Sequence, residues 1–287
     1  MSLPRPPRAA LAALAGCLAL LVSGCATASG STDTATRDVS LRVDGRERSY
    51  LLQPALDLGG RKKAALVVVL HQEGGTPEGV AEETELQELR RSGATLAYPA
   101  GIDNSWDAGA CCGLPRRQGV DDLEFLDEVF RDAARRTPVD LERTALVGYS
   151  SGGMLTYRYV CARTGKLAAA VVVSGSLESS CDNELTVPDV LALHGKKDGT
   201  IGLTKPVFVK ALQISPRPAA SSLQIVTRQA GCSARPTRRT PALEVKTWDC
   251  RGGVIEARLV PDAGHGWSAL GASARTRDFL RDQLLEK

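Results

Sequence analysis

The apolar positions of this chain follow two periods. Over residues 37–53, Val39, Leu41 and Val43, then Tyr50 and Leu52, recur at every second position around Asp44-Gly45, the pattern of a β-hairpin. Ala64 to Leu70 is an unbroken apolar run, as in a strand buried on both faces. Glu78 to Arg91 carries a helical period and opens on acidic residues, which suits the positive end of a helix dipole. Ala94 to Tyr98 is a short strand ended by Pro99, and a long loop spans 99–120. Asp121 then caps a helix with Leu123, Leu126, Val129, Phe130 and Ala133 on one face, closed by Pro138. Runs at 144–147, 168–173, 190–194, 243–248 and 254–260 read as strands. A helix begins at Met154, and another spans Ser273 to Leu285. Residues 206–230 fit neither period, because Pro216 and Pro218 break any single helix.

Strands alternating with helices imply an α/β fold, with a mostly parallel central sheet covered by helices on both faces and an antiparallel hairpin at its N-terminal edge. No internal repeat occurs, and no linker follows residue 37. The expected organisation is a leader over 1–24, a tether over 25–37 and one domain over 38–287.

The first segment changes the picture of where the domain works. Arg5 and Arg8 precede an apolar run from Ala9 to Val22, which is short for a membrane span. It ends in Leu21-Val22-Ser23-Gly24-Cys25, which resembles the lipobox of bacterial lipoproteins. That resemblance implies cleavage before Cys25 and attachment of a diacylglyceryl group to its sulfur. The alternatives are an ordinary signal peptide cut near Ala26–Ala28 or a retained anchor. A stretch rich in Ser, Thr and Ala follows, from Thr27 to Thr36. The expectation is an exported protein, held by lipid on the outer face of the bacterial cell membrane or secreted.

Cysteine usage agrees with export. Apart from Cys17 and Cys25 there are six: Cys111, Cys112, Cys161, Cys181, Cys232 and Cys250. Six cysteines allow fifteen pairings. Cys232–Cys250 and Cys161–Cys181 are favoured because each pair flanks one compact unit, which leaves Cys111 and Cys112 to each other. The three histidines do not join the cysteines at zinc spacing, so no metal is expected. A hydrophobic content of 43% and a charged content of 24% are ordinary for a globular protein, and a scattered net charge of +3 makes no case for nucleic acid.

The candidate chemistry lies in Gly148-Tyr149-Ser150-Ser151-Gly152, between the strand run Thr144–Val147 and the helix from Met154. G-x-S-x-G at a strand-to-helix junction is a nucleophile elbow, which lifts a serine hydroxyl above the sheet. The glycine offsets select Ser150 as nucleophile and leave Ser151 to supply an oxyanion-binding N–H. A serine needs a base, and the base needs a carboxylate. In this architecture they follow in the order serine, acid, histidine. Of His71, His194 and His265, only His265 lies late, in a loop before the last helix. Asp198 lies just past the end of the strand at 190–194, where catalytic groups gather in open α/β sheets. Asp262 is a rival acid, more simply a turn cap. Gln72, after the strand at 64–70, is the expected second oxyanion donor, with the carboxylate of Glu73 beside it.

Together these pieces resemble the α/β-hydrolase esterases of the poly(3-hydroxybutyrate) depolymerase and feruloyl esterase type, over roughly residues 40–285. The matching stretches are Leu70-His71, Tyr98-Pro99-Ala100-Gly101, Trp106 with Cys111-Cys112-Gly113, Val120-Asp121-Asp122 with Phe125, the elbow through Met154, His194-Gly195 with Asp198, and Gly264-His265-Gly266-Trp267. The resemblance implies a cofactor-independent serine esterase with Ser150, Asp198 and His265 as triad, acting on small-molecule or oligomeric esters. Acyl transfer on the same triad and an inactive surface-binding lipoprotein are the alternatives. The chain departs from the family at Gln72, where glycine is usual, and at Ser268, where proline is common. Trp106, Trp267 and Tyr149 are the aromatic candidates for the substrate pocket.

Overall fold

The computed structural model describes residues 35–286. The leader, Cys17, Cys25 and most of the tether therefore lie outside the described residues. The described residues fall in one compact unit.

The hairpin forms as its alternation requires, from β1 (Arg37–Val43) and β2 (Arg46–Gln53). The remaining strands are β3 (Ala64–Leu70), β4 (Ala94–Pro99), β5 (Val139–Tyr149), β6 (Ala169–Val173), β7 (Asp189–Gly195), β8 (Ser233–Ala234), β9 (Arg238–Thr240), β10 (Leu243–Asp249) and β11 (Val254–Val260). Among the described residues they make one sheet in the order β1-β2-β4-β3-β5-β6-β7-β11-β10-β8, with β9 also on β10. From β4 to β11 every pairing is parallel. Antiparallel strands close both edges. The short strands β8 and β9 extend the far edge beyond what the apolar pattern predicts, because their residues are exposed and those of β9 are polar or charged.

Helices α1 (Pro77–Thr84), α2 (Gly113–Gln118), α3 (Asp122–Arg136), α4 (Ser151–Ala162), α5 (Ala219–Gln229) and α6 (Ala272–Leu280) complete the layers. Alternation along β3 splits the core in two. Leu66, Val68 and Leu70 pack with Phe125, Leu126 and Val129 of α3 and Met154 and Leu155 of α4. Val67 and Val69 pack on the other face with Val80, Leu86, Leu89 and Phe279.

Three expectations change. The helix over Glu78–Arg91 breaks at Glu85, whose φ is 53°, and continues as a 3-10 helix over Leu86–Ser92. Leu86 and Leu89 are three residues apart, so the 3-10 turn eclipses them and buries both against the sheet. The last helix ends at Leu280 and passes into a π turn over Arg281–Leu285. Within 206–230, only Ala219–Gln229 is helical, and it starts immediately after Pro218.

Asp121 caps α3 by accepting from the N–H groups of Leu123 and Glu124. Beside it, Asp122 is fully buried against Arg48 of β2 at 2.7 Å and accepts the Asp107 N–H at 2.7 Å. The long loop after β4 is thereby fixed to the sheet. Disulfides join Cys111 to Cys112, Cys161 to Cys181 and Cys232 to Cys250. The second ties the end of α4 to the loop that leaves β6.

Candidate active site

Strand order reverses at β3. The chain runs from β3 to β4 on one side and then crosses to β5 on the other. Open α/β sheets bind ligands at such a switch point, outside the carboxyl ends of the strands. The loops after β3, β5 and β7 carry Gln72, Ser150 and Asp198.

Ser150 sits at φ 55° and ψ −116°, a conformation costly for a side-chain-bearing residue. Its N–H donates to the Val173 carbonyl at 2.9 Å, and its carbonyl accepts from Met154 N–H at 2.9 Å. The two glycines are steric requirements. A Cβ on Gly148 would collide with the Gly152 carbonyl and the Thr156 hydroxyl, and one on Gly152 would lie 2.6 Å from the carbonyl oxygens of Leu70 and His71.

The three side chains expected to act together are in contact. His265 Nε2 lies 2.9 Å from Ser150 Oγ, and His265 Nδ1 lies 2.8 Å from Asp198 Oδ2. With Nδ1–H donating to the carboxylate, Nε2 is left to accept the serine hydroxyl proton. Asp198 Oδ1 accepts the N–H groups of Thr200 at 2.8 Å and Ile201 at 2.9 Å. Burial works to raise the Asp198 carboxyl. The hydrogen bond and charge of His265 and the nearby His194 outweigh it and hold the group below the usual carboxylate range. The rival Asp262 is exposed and pairs with Lys197 at 2.7 Å. His194 is buried, with Nε2 2.8 Å from the Ile201 carbonyl and 3.3 Å from Asp198 Oδ2. It orders the Asp198 loop, as its place at the strand end suggests.

The loop after β3 is held by His71 and Trp106. Gly101 N–H donates to His71 Nε2 at 3.0 Å, so His71 Nδ1 carries the proton and donates to the Gln72 carbonyl at 2.7 Å. Trp106 Nε1–H donates to the His71 carbonyl at 2.9 Å. In a trans peptide the C=O and N–H point in opposite directions. Fixing the His71 carbonyl on Trp106 therefore turns the Gln72 N–H away from it. Among the described residues, neither Gln72 N–H nor Ser151 N–H donates to a protein group. Ser151 opens α4, where the helix dipole favours negative charge. Glu73 is directed to Ser105, whose hydroxyl donates to its carboxylate at 2.8 Å. Burial raises that carboxyl, and the Ser105 bond partly offsets it.

The aromatic candidates are corrected. Trp106 and Trp267 are 0% and 1% exposed, so neither offers a face to a substrate arriving from solvent. Trp106 braces the His71 peptide, and Trp267 Nε1–H donates to Ser273 Oγ at 2.9 Å. Tyr149 packs between Trp267 and the His265 ring, with centroids 5.9 and 5.7 Å away. One contributor has no signature in the chain pattern. Ser174, at the end of β6, donates from Oγ to the His265 carbonyl at 2.9 Å. Among the described residues, no cluster of His, Cys, Asp and Glu could hold a metal ion, and no helix is long and apolar enough to cross a membrane.

No family model matches the chain. A protein of Aspergillus clavatus named Probable feruloyl esterase C is 27% identical over 210 residues, covering 67% of this chain and 73% of its own. Feruloyl esterase C of Emericella nidulans is 27% identical over 180 residues, covering 61% of this chain and 62% of its own. The acetyl xylan esterase of Aspergillus awamori superposes with a TM-score of 0.67 over 86% of this chain and 99% of that one, at 14% identity. The chain thus has an α/β-hydrolase fold and is similar in sequence to the feruloyl esterases.

Proposed function

We propose that the chain hydrolyses carboxylic esters through an acyl-enzyme formed on Ser150. The observation that carries this is the unbroken chain Asp198–His265–Ser150, with Ser150 held on a strained elbow. His265 Nε2 takes the Ser150 proton as Oγ attacks the ester carbonyl. The oxygen that gains charge meets the unengaged N–H groups of Gln72 and Ser151, a contribution of about 3 kcal/mol for each donor. His265 then protonates the leaving alcohol, and water repeats the cycle on the acyl-enzyme. Asp198 stays ionised and keeps the imidazole in the tautomer that accepts from serine.

The substrates proposed are soluble or oligomeric esters of feruloyl, acetyl or hydroxyalkanoate type. The feruloyl esterase and acetyl xylan esterase likenesses support the first two. Ser150→Ala removes the nucleophile and leaves the fold. It is expected to abolish turnover of p-nitrophenyl acetate and labelling by a fluorophosphonate, with an unchanged circular dichroism spectrum. Undiminished hydrolysis by that variant would overturn the assignment. A screen of acetyl, butyryl, feruloyl and 3-hydroxybutyrate oligomer esters then ranks the acyl groups.

The export reading rests on the basic and apolar N-terminus and the small residues before Cys25. Lipid on Cys25 would hold the esterase at the outer face of the membrane. Cys25→Ser is expected to move it from the membrane fraction to the soluble fraction. Retention at the membrane would refute the anchor.

A further inference from the structure

Between the sheet and α5 lies a cavity of about 200 Å3 that does not include Ser150 or His265 among its lining residues. Its inner wall is apolar and buried, formed by Tyr157, Val172, Ala192 and Ala257. Its rim carries the exposed Gln224 and the partly exposed Lys246. An apolar cavity of about 150 Å3 holds one benzene ring, so this one has room for a ring with a short chain.

The charge at the rim is unbalanced. Glu244 alone faces Lys196 Nζ at 2.6 Å, Arg239 Nε at 3.3 Å and Lys246 Nζ at 3.5 Å. The neighbouring Glu256 is engaged by Arg258 and Arg238. Three cations on one carboxylate leave a surplus of positive charge, with Lys246 the member that borders the cavity. An apolar hole beside an underneutralised ammonium is complementary to a small apolar acid, ring or chain inward and carboxylate outward.

The cavity also reaches the triad. His194 forms part of its wall, and the same imidazole touches the Ile201 carbonyl and Asp198 Oδ2. His194 thus stands between the cavity and the loop that presents Asp198 to His265.

We propose that this cavity is a second ligand site, separate from Ser150, that takes a small apolar monocarboxylate and transmits its occupancy to Asp198 through His194. The acid released by the proposed ester hydrolysis is of this class, but the site stands on its own geometry. The probe is trans-cinnamate, titrated calorimetrically into the full chain and into Ser150→Ala. One molecule per chain is expected in both, so the result survives a failure of the esterase reading. Ala220→Phe places a ring at the exposed edge of the cavity on α5, and Lys246→Met removes the charge. Each is expected to weaken cinnamate at least tenfold, and cinnamyl alcohol is expected to bind at least tenfold more weakly than cinnamate. In turnover of p-nitrophenyl acetate, cinnamate is expected to lower kcat without raising KM, and Ala220→Phe is expected to be insensitive. Absence of binding at millimolar cinnamate, or an affinity in both Ala220→Phe and Lys246→Met equal to that of the parent chain, overturns the site. A loss in Ala220→Phe with none in Lys246→Met overturns the carboxylate. Purely competitive inhibition places the acid at Ser150 and overturns the link.

Discussion

Ser174 is a buried residue with a φ of 48° that joins two parts of the candidate site. Its N–H donates to the Leu193 carbonyl at 2.9 Å, its hydroxyl to the His265 carbonyl at 2.9 Å, and the residue before it accepts the Ser150 N–H. The hydroxyl fixes the backbone of the histidine loop against the strand that supports the nucleophile. A hydrogen bond of this kind is worth about 1 kcal/mol net, which converts to about a fivefold change in rate. Ser174→Ala is therefore expected to lower kcat about fivefold with KM nearly unchanged. Ser174→Gly separates the hydroxyl from the backbone, because glycine accepts a positive φ at little cost. It is expected to lose the same kcat while its thermal midpoint holds or rises. Full kcat in the glycine variant would remove Ser174 from the list of positioning residues. Nothing in the run Val171-Val172-Val173-Ser174-Gly175 marks this serine, because its partner is a backbone carbonyl 91 residues away. The contact among Ser150, His265 and Asp198 was legible for the opposite reason. Its members carry rare chemistry in a fixed order, and three histidines leave little choice. Trp106 and Trp267 were misjudged as substrate platforms because their positions near the motifs were readable and their burial was not.

At the scale of elements, the strands were legible wherever both faces are buried, since runs such as Ala64–Leu70 admit few other readings. What escaped was geometry set by distant partners: the break at Glu85, the π turn after Leu280 and the short exposed edge strands β8 and β9. The bond between β2 and α3 is of the same kind. Arg48 is 5% exposed, its guanidinium lies 3.7 Å from the Phe125 ring centroid, and it donates to both Asp122 Oδ1 and the Ala100 carbonyl. Burial lowers the Arg48 pKa and raises that of Asp122, and their mutual attraction offsets each shift only in part. Removing one partner of a buried pair leaves an uncompensated charge, at a cost of about 3–5 kcal/mol. Asp122→Ala is expected to lose that much in urea titrations and also to free the Asp107 N–H, loosening the loop that carries Trp106. The double variant Arg48→Met, Asp122→Leu is expected to recover most of the loss, since apolar replacements of a buried pair are often neutral. A double variant as unstable as the single one would show that the pair contributes more than mutual neutralisation.

For the whole molecule, buried histidines couple folding to pH. His71 and His194 are buried at the carboxyl ends of β3 and β7, and burial lowers the pKa of each, outweighing the carbonyls of Gln72 and Ile201 that favour the charged ring. In the unfolded chain both titrate near ~6.5. Below that pH the unfolded state binds protons that the folded state refuses, so unfolding free energy rises with pH in this window. The stability these groups permit is complete above about pH 7 and declines as pH falls through ~6.5, by up to about 1.4 kcal/mol per pH unit for each histidine. The carboxylates of Asp198, Asp132 and Asp140 are held below their ordinary range and act in the same direction, but only as pH falls below ~4. The two regimes are therefore separable in urea titrations run from pH 8 to pH 5. His194→Gln retains a donor for the Ile201 carbonyl without a titrating ring. It is expected to shift the curve down uniformly and to lose about half of the slope between pH 6.5 and pH 5. A slope equal to that of the parent chain would mean that His194 takes up its proton without unfolding, and that the neutral ring beside Asp198 is no condition of the fold.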